Sequence, residues 1–265
     1  MKDSDIPVVI LSGGKGTRMR EETEYKPKPL VEIGGRPILW HIMKAYSHFG
    51  FRTFILCLGY RGQAIKEYFL NFDTMNNDFV INTRSREYRL LDASIRTEDW
   101  DIVFADTGME TQTGGRIKRI EKYVQSDLFF ATYGDGVSDI DISALLEFHR
   151  RQKKMATITG FHPRSKYGQV HANASGEILS FEEKPRLKDT INGGFFVFQR
   201  EFFSRLDDDC VLEREPFEGL AREKQMALYR HEGFWFAVDT YKDYLEINRM
   251  VQERHTPWMV WEKGR

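Results

Sequence analysis

Short apolar runs alternate with segments of helical periodicity through the first half of the chain. Four runs have the length of a buried β-strand: 7–11, 53–58, 101–105 and 128–133. Between the first two runs, Ile38, Ile42 and Tyr46 recur at helical spacing behind Pro37, a residue suited to the first turn of a helix. Strands that alternate with helices are typical of a mostly parallel sheet covered by helices on both faces. The pattern therefore predicts an α/β fold whose ligands bind beyond the carboxyl ends of the strands.

The pattern changes after about residue 155, where strand-like runs follow one another with little helix between them. These further strand candidates are 155–161, 169–171, 178–181 and 195–198. They predict a mixed, partly antiparallel edge to the sheet. Two helical segments, around 217–224 and 241–254, end the chain. Because no Pro- or Ser-rich linker and no internal repeat interrupts the pattern, we expect a single domain over residues 1–265.

Composition narrows the classes of partner. The formal net charge of the 265 residues is −1, which favours neither a nucleic acid nor an anionic membrane as partner. Any phosphate binding must then depend on locally placed Lys and Arg. Cys57 and Cys210 are too few for a disulfide framework, and the apolar run near the N-terminus is too short for a signal peptide. We therefore expect a cytoplasmic protein.

A glycine-rich loop, 12–18, follows the first predicted strand with the sequence Ser-Gly-Gly-Lys-Gly-Thr-Arg. Glycines allow backbone N–H groups to approach phosphate oxygens closely. The dinucleotide fingerprint needs a third glycine where Met19 stands, and a Walker A loop needs Gly-Lys-Ser/Thr where the chain has Thr-Arg-Met. A plain tight turn stays open as an alternative. Arg18 and the nearby Lys26-Pro27-Lys28-Pro29 segment favour a phosphate cradle instead, since prolines restrict where the lysines point.

Together these segments resemble the signature of the sugar nucleotidyltransferases, also called nucleotidyl-sugar pyrophosphorylases. The loop at 11–18 is followed, at the family's spacing, by Lys-Pro-Lys-Pro-Leu-Val-Glu-Ile-Gly-Gly-Arg-Pro at 26–37. Similarity continues at 134–136, 183–185, 192–196 and 235–240, so it spans nearly the whole chain. The resemblance implies a Rossmann-like nucleotidyltransferase fold with a mixed, mostly parallel central sheet flanked by helices. It also implies a smaller sugar-binding β region.

The resemblance also assigns functions to parts of the single domain. It implies a nucleotide-binding part at about 1–155, a sugar-binding part at about 156–240, and a C-terminal helix and tail at 241–265. Within the family, the chain is most similar to members that use CTP and glucose 1-phosphate. The segments behind this likeness are 21–23, 38–43, 106–108, 113–116 and 133–137.

The reaction implied is attack of a sugar phosphate oxygen on the α-phosphorus of CTP, which forms CDP-glucose and pyrophosphate. Two anions must meet, so the protein's main tasks are charge neutralisation and in-line positioning. The resemblance assigns catalytic roles to Arg18 and Lys28, and a Mg²⁺ site to Asp135 and Asp239. Hard carboxylate oxygens suit that ion. Without the resemblance, an ordinary turn aspartate is the better interpretation of Asp135, and Asp239 could equally belong to the N-terminal cap region of the following helix.

The resemblance divides the remaining site residues between two substrates. We expect the nucleotide to contact Leu11, Ser12, Gly13, Gly14, Lys15, Gly16, Thr17, Thr111, Arg116 and Gly134. We expect the sugar phosphate to contact Tyr167, Gly168, Glu183, Lys184, Asn192 and Gly193. Taken alone, Glu183 and Lys184 are typical of a solvated surface charge run.

Several alternatives stay open. Ser12 and Lys15 depart from the family's usual Ala and apolar residue, which leaves UTP, dTTP or GTP, or another sugar or polyol phosphate, as rival substrates. A catalytically silent regulatory subunit of the same fold is a second hypothesis, and a dinucleotide-dependent oxidoreductase a third. The tryptophans near the C-terminus, Trp258 and Trp261, are typical of core or subunit contacts, and we expect a homo-oligomer.

Overall fold

A mixed β-sheet forms the centre of the molecule. The structure is a computed structural model that describes residues 2–16, 26–92, 98–165 and 167–262. Within these ranges seven strands form the central sheet: β1 (Val8–Ser12), β4 (Thr53–Leu58), β7 (Asp101–Asp106), β8 (Leu128–Tyr133), β10 (Ala156–Phe161), β13 (Ile191–Gln199) and β14 (Met226–Arg230). Their spatial order is β14-β10-β13-β8-β1-β4-β7. β13 runs antiparallel to both β8 and β10, whereas the other neighbouring strands are parallel.

The remaining strands form four small pairs among the described residues. They are β2 (Glu32–Ile33) with β3 (Arg36–Pro37), β5 (Phe79–Ile81) with β6 (Tyr88–Leu90), β9 (Gly136–Ser138) with β15 (Trp235–Ala237), and β11 (Gln169–Ala172) with β12 (Ile178–Glu182). The α-helices of the described ranges are α1 (Ile38–His48), α2 (Gly62–Leu70), α3 (Phe72–Asn76), α4 (Thr113–Arg119), α5 (Ile142–Gln152), α6 (Glu215–Arg222) and α7 (Tyr241–Gln252).

Two hydrophobic layers cover the sheet, one on each face. Val8 and Ile10 of β1 lie in one layer, and Val9 lies in the other. Phe129 and Phe130 of β8 divide between the two layers in the same way. This is why β1 and β8 read as continuous apolar runs, since a parallel strand covered on both faces has no polar side. The sheet is therefore a rigid platform, and its carboxyl edge positions whatever the following loops carry.

The predicted α/β fold with a mixed, mostly parallel sheet is confirmed. The expectation of a partly antiparallel edge is wrong, because the antiparallel strand lies inside the sheet, between β10 and β8, and the edge pair β10–β14 is parallel. The apolar runs at 53–58 and 128–133 coincide with β4 and β8, and the antiparallel strand is β13. Helix α4 ends at Arg119, and a 3₁₀ turn follows at Glu121–Tyr123. Helix α5 and the β9–β15 pair were not predicted.

None of the helices in the described part of the chain has the length and apolar character needed to cross a bilayer.

Two buried histidines are held as neutral imidazoles. The Nε2–H of His41 donates to the Ile33 carbonyl at 2.8 Å, and its Nδ1 accepts from the Trp258 indole at 3.4 Å. His149 Nδ1 lies 2.8 Å from the Thr157 hydroxyl, and its Nε2 lies 3.2 Å from the Gln199 amide nitrogen. Protonation of His41 would place an N–H at Nδ1 facing the Trp258 N–H, and protonation of His149 would place one at Nε2 facing the Gln199 amide. Burial accordingly lowers the pKa of each imidazole to about 4.

We expect acid to destabilise the protein through these histidines. The folded pKa is below the unfolded value of about 6.5, so the unfolded chain takes up protons first as pH falls. The stability they contribute is present above about pH 6.5 and is lost towards pH 4. At pH 5 each histidine should cost about 2 kcal/mol of unfolding free energy. Urea unfolding at pH 7 and pH 5 measures the loss, and His149→Gln should reduce it. An equal loss in that variant would contradict the assignment.

Candidate active site

A cavity of about 330 Å³ opens at the carboxyl edge of the central sheet, where the sequence pattern predicted a ligand site. The loops after β1 and β8 border it, together with the 3₁₀ turn Lys28–Leu30 and the start of α4. Its lining residues are Leu11, Ser12, Gly13, Gly14, Gly16, Lys28, Pro29, Thr111, Gln112, Thr113, Arg116, Tyr133, Gly134, Asp135 and Asp239. This set contains many of the residues that the sequence assigned to the nucleotide and the metal.

Lys28 lies between the two aspartates at this cavity. Its Nζ donates to Asp135 Oδ2 and to Asp239 Oδ1, each at 2.7 Å. The lysine side chain is only 12% exposed, whereas the carboxylates are about one-third exposed. Burial opposes the charge of the ammonium group, but the two carboxylates outweigh it and raise the pKa of Lys28 above its ordinary value. Lys28 therefore stays charged beside the cavity at neutral pH.

The small β9–β15 pair brings the two aspartates together. Gly136 pairs with Ala237, and Val238 N–H donates to the Asp135 carbonyl at 2.9 Å. Asp135 and Asp239 are thus placed at the same end of one short ladder. Directly after Asp239, Thr240 caps α7 by accepting from the Asp243 N–H. The capping role that the sequence left open for Asp239 belongs to Thr240, and Asp239 lines the cavity beside Lys28.

Arg116 connects several loops at the cavity. Its guanidinium donates to the carbonyls of Gly13 at 3.1 Å, Leu58 at 3.1 Å and Gly108 at 2.8 Å. It also reaches the Thr107 hydroxyl at 2.8 Å and the Met109 carbonyl at 3.3 Å. The group therefore joins the loops after β1, β4 and β7. The sequence assigned Arg116 to the nucleotide, and that contact stays a prediction. In the structure its terminal N–H groups donate to four backbone carbonyls and to the Thr107 hydroxyl.

Glycines make room for this guanidinium. A Cβ atom at Gly13 would overlap the Arg116 side chain, and one at Gly59 would lie 2.6 Å from its Nη1. Gly14 faces open space instead, and no atom lies within 4 Å of where its Cβ would be. The glycine-rich loop thus serves two purposes, since one glycine admits the arginine and the next leaves backbone accessible to a ligand.

Other predicted nucleotide contacts are distributed around the cavity. Lys15 pairs with Glu110 at 2.6 Å on the exposed rim, which ties the β1 loop to the loop before α4. Ser12 is buried, and its hydroxyl reaches the Ile10 carbonyl at 3.4 Å. Thr111 and Gly134 line the cavity. The predictions for Thr17 and Arg18 lie outside the described residues.

The predicted sugar-phosphate residues divide into two groups. Tyr167, Gly168, Glu183 and Lys184 flank the β11–β12 pair and are absent from the lining of the described cavity. A Cβ at Gly168 would lie 3.0 Å from Glu183 Oε2, so these two residues are neighbours. Lys184 is exposed and has a left-handed φ of 48°, a conformation that costs a non-glycine residue about 1 kcal/mol.

Asn192 and Gly193 begin β13, next to the cavity. Because β13 is antiparallel to β8, its first residues meet the carboxyl end of β8. The Gly193 carbonyl accepts from the Trp235 indole at 2.9 Å, and a Cβ at Gly193 would overlap the Phe161 ring. Asn192 Nδ2 donates to the Tyr133 hydroxyl at 3.4 Å. This second group therefore contacts the wall of the cavity through Tyr133.

Sequence reasoning did not assign a role to Tyr133 or Glu213. The Tyr133 hydroxyl donates to Glu213 Oε1, and Thr113 Oγ1 donates to the other carboxylate oxygen at 2.9 Å. Burial, together with the Glu213 carboxylate, raises the pKa of the Tyr133 hydroxyl, so the phenol keeps its proton. Tyr133 belongs to the segment 133–137 that carried part of the family likeness, but that likeness gave it no role of its own. Glu213 lies in a polar segment and carried no signal in the sequence.

Comparison with known proteins agrees with this geometry. A sequence model described as nucleotidyl transferase matches residues 7–254. The chain belongs to the nucleotidyl transferase family. It is 43% identical over 258 residues to the probable glucose-1-phosphate cytidylyltransferase of Bacillus subtilis (strain 168), covering 97% of this chain and all of that protein. It is 44% identical over 260 residues to glucose-1-phosphate cytidylyltransferase of Salmonella typhimurium, with the same coverage. The chain is thus an enzyme of this family by full-length similarity.

Solved structures of other proteins share the fold. HddC from Yersinia pseudotuberculosis superposes with a TM-score of 0.65 at 20% identity, covering 93% of this chain and 99% of that one. An apo UDP-glucose pyrophosphorylase superposes with a TM-score of 0.67 at 16% identity, covering 94% and 99% of the two chains. Because the sequence identities are only 20% and 16%, these two structures are evidence for a shared fold and not for a shared function.

The donor set at the cavity fits a magnesium ion. Among residues 2–16, 26–92, 98–165 and 167–262, no group of three or more His, Cys, Asp or Glu side chains is arranged to cage a metal. Asp135 and Asp239 offer two carboxylates, both within 2.7 Å of one ammonium group. The two carboxylates thus already bind one positive group, the Lys28 ammonium. Mg²⁺ is commonly held by one or two carboxylates with substrate phosphates and waters completing its shell, which matches this pair.

Proposed function

We propose that the chain joins CTP to α-glucose 1-phosphate, forming CDP-glucose and pyrophosphate with Mg²⁺. The observation that carries the catalytic part is Lys28 held between Asp135 and Asp239 beside a glycine-loop cavity. The substrates are proposed from full-length relatives at 43% and 44% identity that are named as glucose-1-phosphate cytidylyltransferases.

The proposed reaction is a displacement at phosphorus. An oxygen of the sugar phosphate bonds to the α-phosphorus of CTP, and the bond from that phosphorus to the bridging oxygen of the β-phosphate breaks. Pyrophosphate leaves with that electron pair. The nucleophile is already ionised, so no residue has to remove its proton. The protein must instead offset the repulsion between two anions and align them.

Lys28 and the two aspartates divide this work between them. Mg²⁺, when held by Asp135 and Asp239, supplies positive charge to the phosphate oxygens. Lys28 brings a second, permanently charged group to the same point, and its low exposure strengthens its field. Pro27 and the buried Pro29 and Leu30 fix the 3₁₀ turn that carries it. The backbone at Gly14 is open to the triphosphate.

The base and ribose would lie towards α4. Thr111, Gln112 and Thr113 form that wall of the cavity, and Arg116 behind them holds the adjoining loops. Arg116 would thus act on the nucleotide mainly by fixing the carbonyls around it. Arg18 and Thr17 complete the proposed loop contacts. This arrangement favours a nucleoside triphosphate, whereas the preference for cytosine is proposed from the relatives.

We propose that Lys184 holds the phosphate of the sugar, with Glu183 accepting from sugar hydroxyls and with Tyr167, Gly168, Asn192 and Gly193 beside it. We expect Lys184→Ala to raise the KM for glucose 1-phosphate about tenfold and to leave the KM for CTP within about twofold, because one charge-assisted contact is lost. Lys188→Ala, a nearby lysine without an assigned role, is the control. A change confined to the CTP KM would reverse the pocket assignment.

The experiment that tests the proposed function is pyrophosphate release across a grid of nucleoside triphosphates and sugar 1-phosphates with Mg²⁺. We expect the strongest signal for CTP with glucose 1-phosphate. A stronger signal with UTP, dTTP or GTP, or with another sugar phosphate, would keep the reaction and change the substrate. Silence across the grid from folded protein would favour the regulatory-subunit hypothesis. The expected homo-oligomer and cytoplasmic location stay predictions, which light scattering and fractionation test.

A further inference from the structure

A chain of hydrogen bonds runs across the cavity wall from the first residue of α4 to the first residues of β13. Thr113 Oγ1 accepts from the Leu212 N–H at 2.9 Å and donates to Glu213 Oε2 at 2.9 Å. The Tyr133 hydroxyl donates to the other Glu213 oxygen. Asn192 Nδ2 in turn donates to the Tyr133 oxygen at 3.4 Å. The four side chains thus form one connected network.

Glu213 is the centre of this network, because the Thr113 and Tyr133 hydroxyls both donate to its carboxylate. A carboxylate has only acceptors, so both hydroxyls must point their protons at it. Thr113 has already used its oxygen as acceptor for Leu212, which fixes its proton towards Glu213. Tyr133 uses its oxygen as acceptor for Asn192. Glu213 is exposed to solvent, so reversing any of these bonds would leave a neighbouring N–H or O–H to be matched by water instead of by the network.

Packing restricts the Tyr133 ring to this position. Its ring meets Phe196 edge to face, with centroids 5.5 Å apart. On another side, a Cβ at Gly194 would overlap the ring, so only glycine allows it to cross β13 there. Gly194 has a φ of 78°, and its N–H donates to Asn192 Oδ1 at 2.9 Å. Both ends of the Asn192 amide are therefore held, one by Tyr133 and one by its own strand.

The network joins two parts of the site that bind different substrates, an assignment that rests on the proposed function. Thr113 lines the nucleotide wall and begins the helix that carries Arg116. Asn192 belongs to the proposed sugar side. Two anions must be aligned for in-line displacement, and a misplacement of about 1 Å can cost on the order of a hundredfold in rate. A rigid connection between the two sides would supply this alignment.

We propose that Glu213 is a positioning residue, which acts through Tyr133 and Thr113 to fix the sugar-phosphate side of the site against the nucleotide side. It contacts no reacting atom. Its effect is on kcat, because the bound substrates lose their alignment when the network is broken, and each substrate keeps most of its own contacts.

Glu213→Gln breaks the network with little change of shape. A glutamine has one side-chain oxygen, so it cannot accept from both Tyr133 and Thr113 in the present arrangement. We expect kcat with CTP and glucose 1-phosphate to fall about tenfold, with both KM values within about threefold. Glu218→Gln is the matched control, since Glu218 is exposed like Glu213 and pairs instead with Arg222 on the same helix, at 3.9 Å. It should keep wild-type kinetics.

A double-mutant cycle separates positioning from a general structural role. If Tyr133 and Glu213 act as one unit, Tyr133→Phe combined with Glu213→Gln should have nearly the kcat of the worse single variant. Thermal melting of all three variants should stay close to that of the wild type. Multiplied losses in kcat, or losses that follow a lowered melting temperature, would overturn the proposal. So would a wild-type kcat in Glu213→Gln.

A readout without substrates keeps this test independent of the proposed function. In hydrogen–deuterium exchange of the free protein, Glu213→Gln should speed exchange in both Thr113–Arg119 and Ile191–Gln199, although it lies in neither segment. Glu218→Gln should leave both segments unchanged. Faster exchange in neither or only one segment would contradict the connection. If the wild type released no pyrophosphate from CTP and glucose 1-phosphate, the proposed function would fail, and the exchange result would still decide on the network.

Discussion

Asp239→Asn should lower kcat by about three orders of magnitude, equivalent to about 4 kcal/mol of transition-state stabilisation. Asp239 and Asp135 are the two carboxylates at the cavity, and their donor set fits Mg²⁺. An amide is a neutral and weaker ligand for that hard cation. Asp135→Asn should have a similar effect, since both oxygens lie 2.7 Å from the same Lys28 nitrogen.

The fold should survive both substitutions. An asparagine oxygen can still accept from Lys28, and the Val238 N–H bonds to the backbone of residue 135 rather than to its side chain. Asp99→Asn is the control, because that side chain is 96% exposed and pairs with Arg52 at the surface. Steady-state kinetics with saturating Mg²⁺, together with circular dichroism, checks the expectation. A folded Asp239→Asn enzyme with near-normal kcat would remove Asp239 from the metal site.

Lys28→Met should have two separable effects. Turnover should fall by about 10²–10³-fold, the usual range when one preorganised donor to a developing negative charge is lost. At the same time Mn²⁺, used as a probe for Mg²⁺, should bind the substrate-free protein at least about tenfold more tightly. The reason is that Asp135 and Asp239 would no longer share a resident ammonium, and two close carboxylates without a cation attract a divalent ion strongly.

Lys26→Met offers a control two residues away. Lys26 is exposed and pairs with Glu32 at 2.9 Å, so its loss removes the same charge without touching the aspartates. Isothermal titration with Mn²⁺ and initial-rate kinetics should therefore separate the two lysines clearly. If Lys28→Met bound Mn²⁺ no better than Lys26→Met and kept its turnover, the ammonium between the aspartates would have no part in the site.

The core of the fold could be predicted because its signals are local. A strand buried on both faces is apolar at nearly every position, so β4 and β8 are visible as almost continuous apolar runs. β9 and β15 have three residues each and lie far apart in the chain, and such strands leave no periodic pattern. Helix α5 is amphipathic but was missed, although Asp141 accepts from the Ala144 N–H as its cap. That capping signal was available in the sequence.

The sequence predicted which residues belong to the candidate site better than it predicted how they are arranged. Lys28, Asp135 and Asp239 were named through the family resemblance, yet Lys28 is separated from its partners by 107 and 211 positions. No local pattern reports that the ammonium lies between the carboxylates. Arg116 was likewise named for the nucleotide, and only the structure shows its donors on loop carbonyls and the Thr107 hydroxyl. Contacts between distant loops depend on the tertiary fold, which single positions do not encode.

The most direct test of the central claim follows the α-phosphate of CTP. Purified protein is incubated with Mg²⁺, glucose 1-phosphate and CTP labelled with ³²P at the α-position, and the products are separated. We predict that the label appears in CDP-glucose, in amounts equal to the unlabelled pyrophosphate released, and that Asp239→Asn forms almost none. Label in CMP alone, or CTP left intact by folded protein, would contradict the account, because no bond to the sugar phosphate would then have formed.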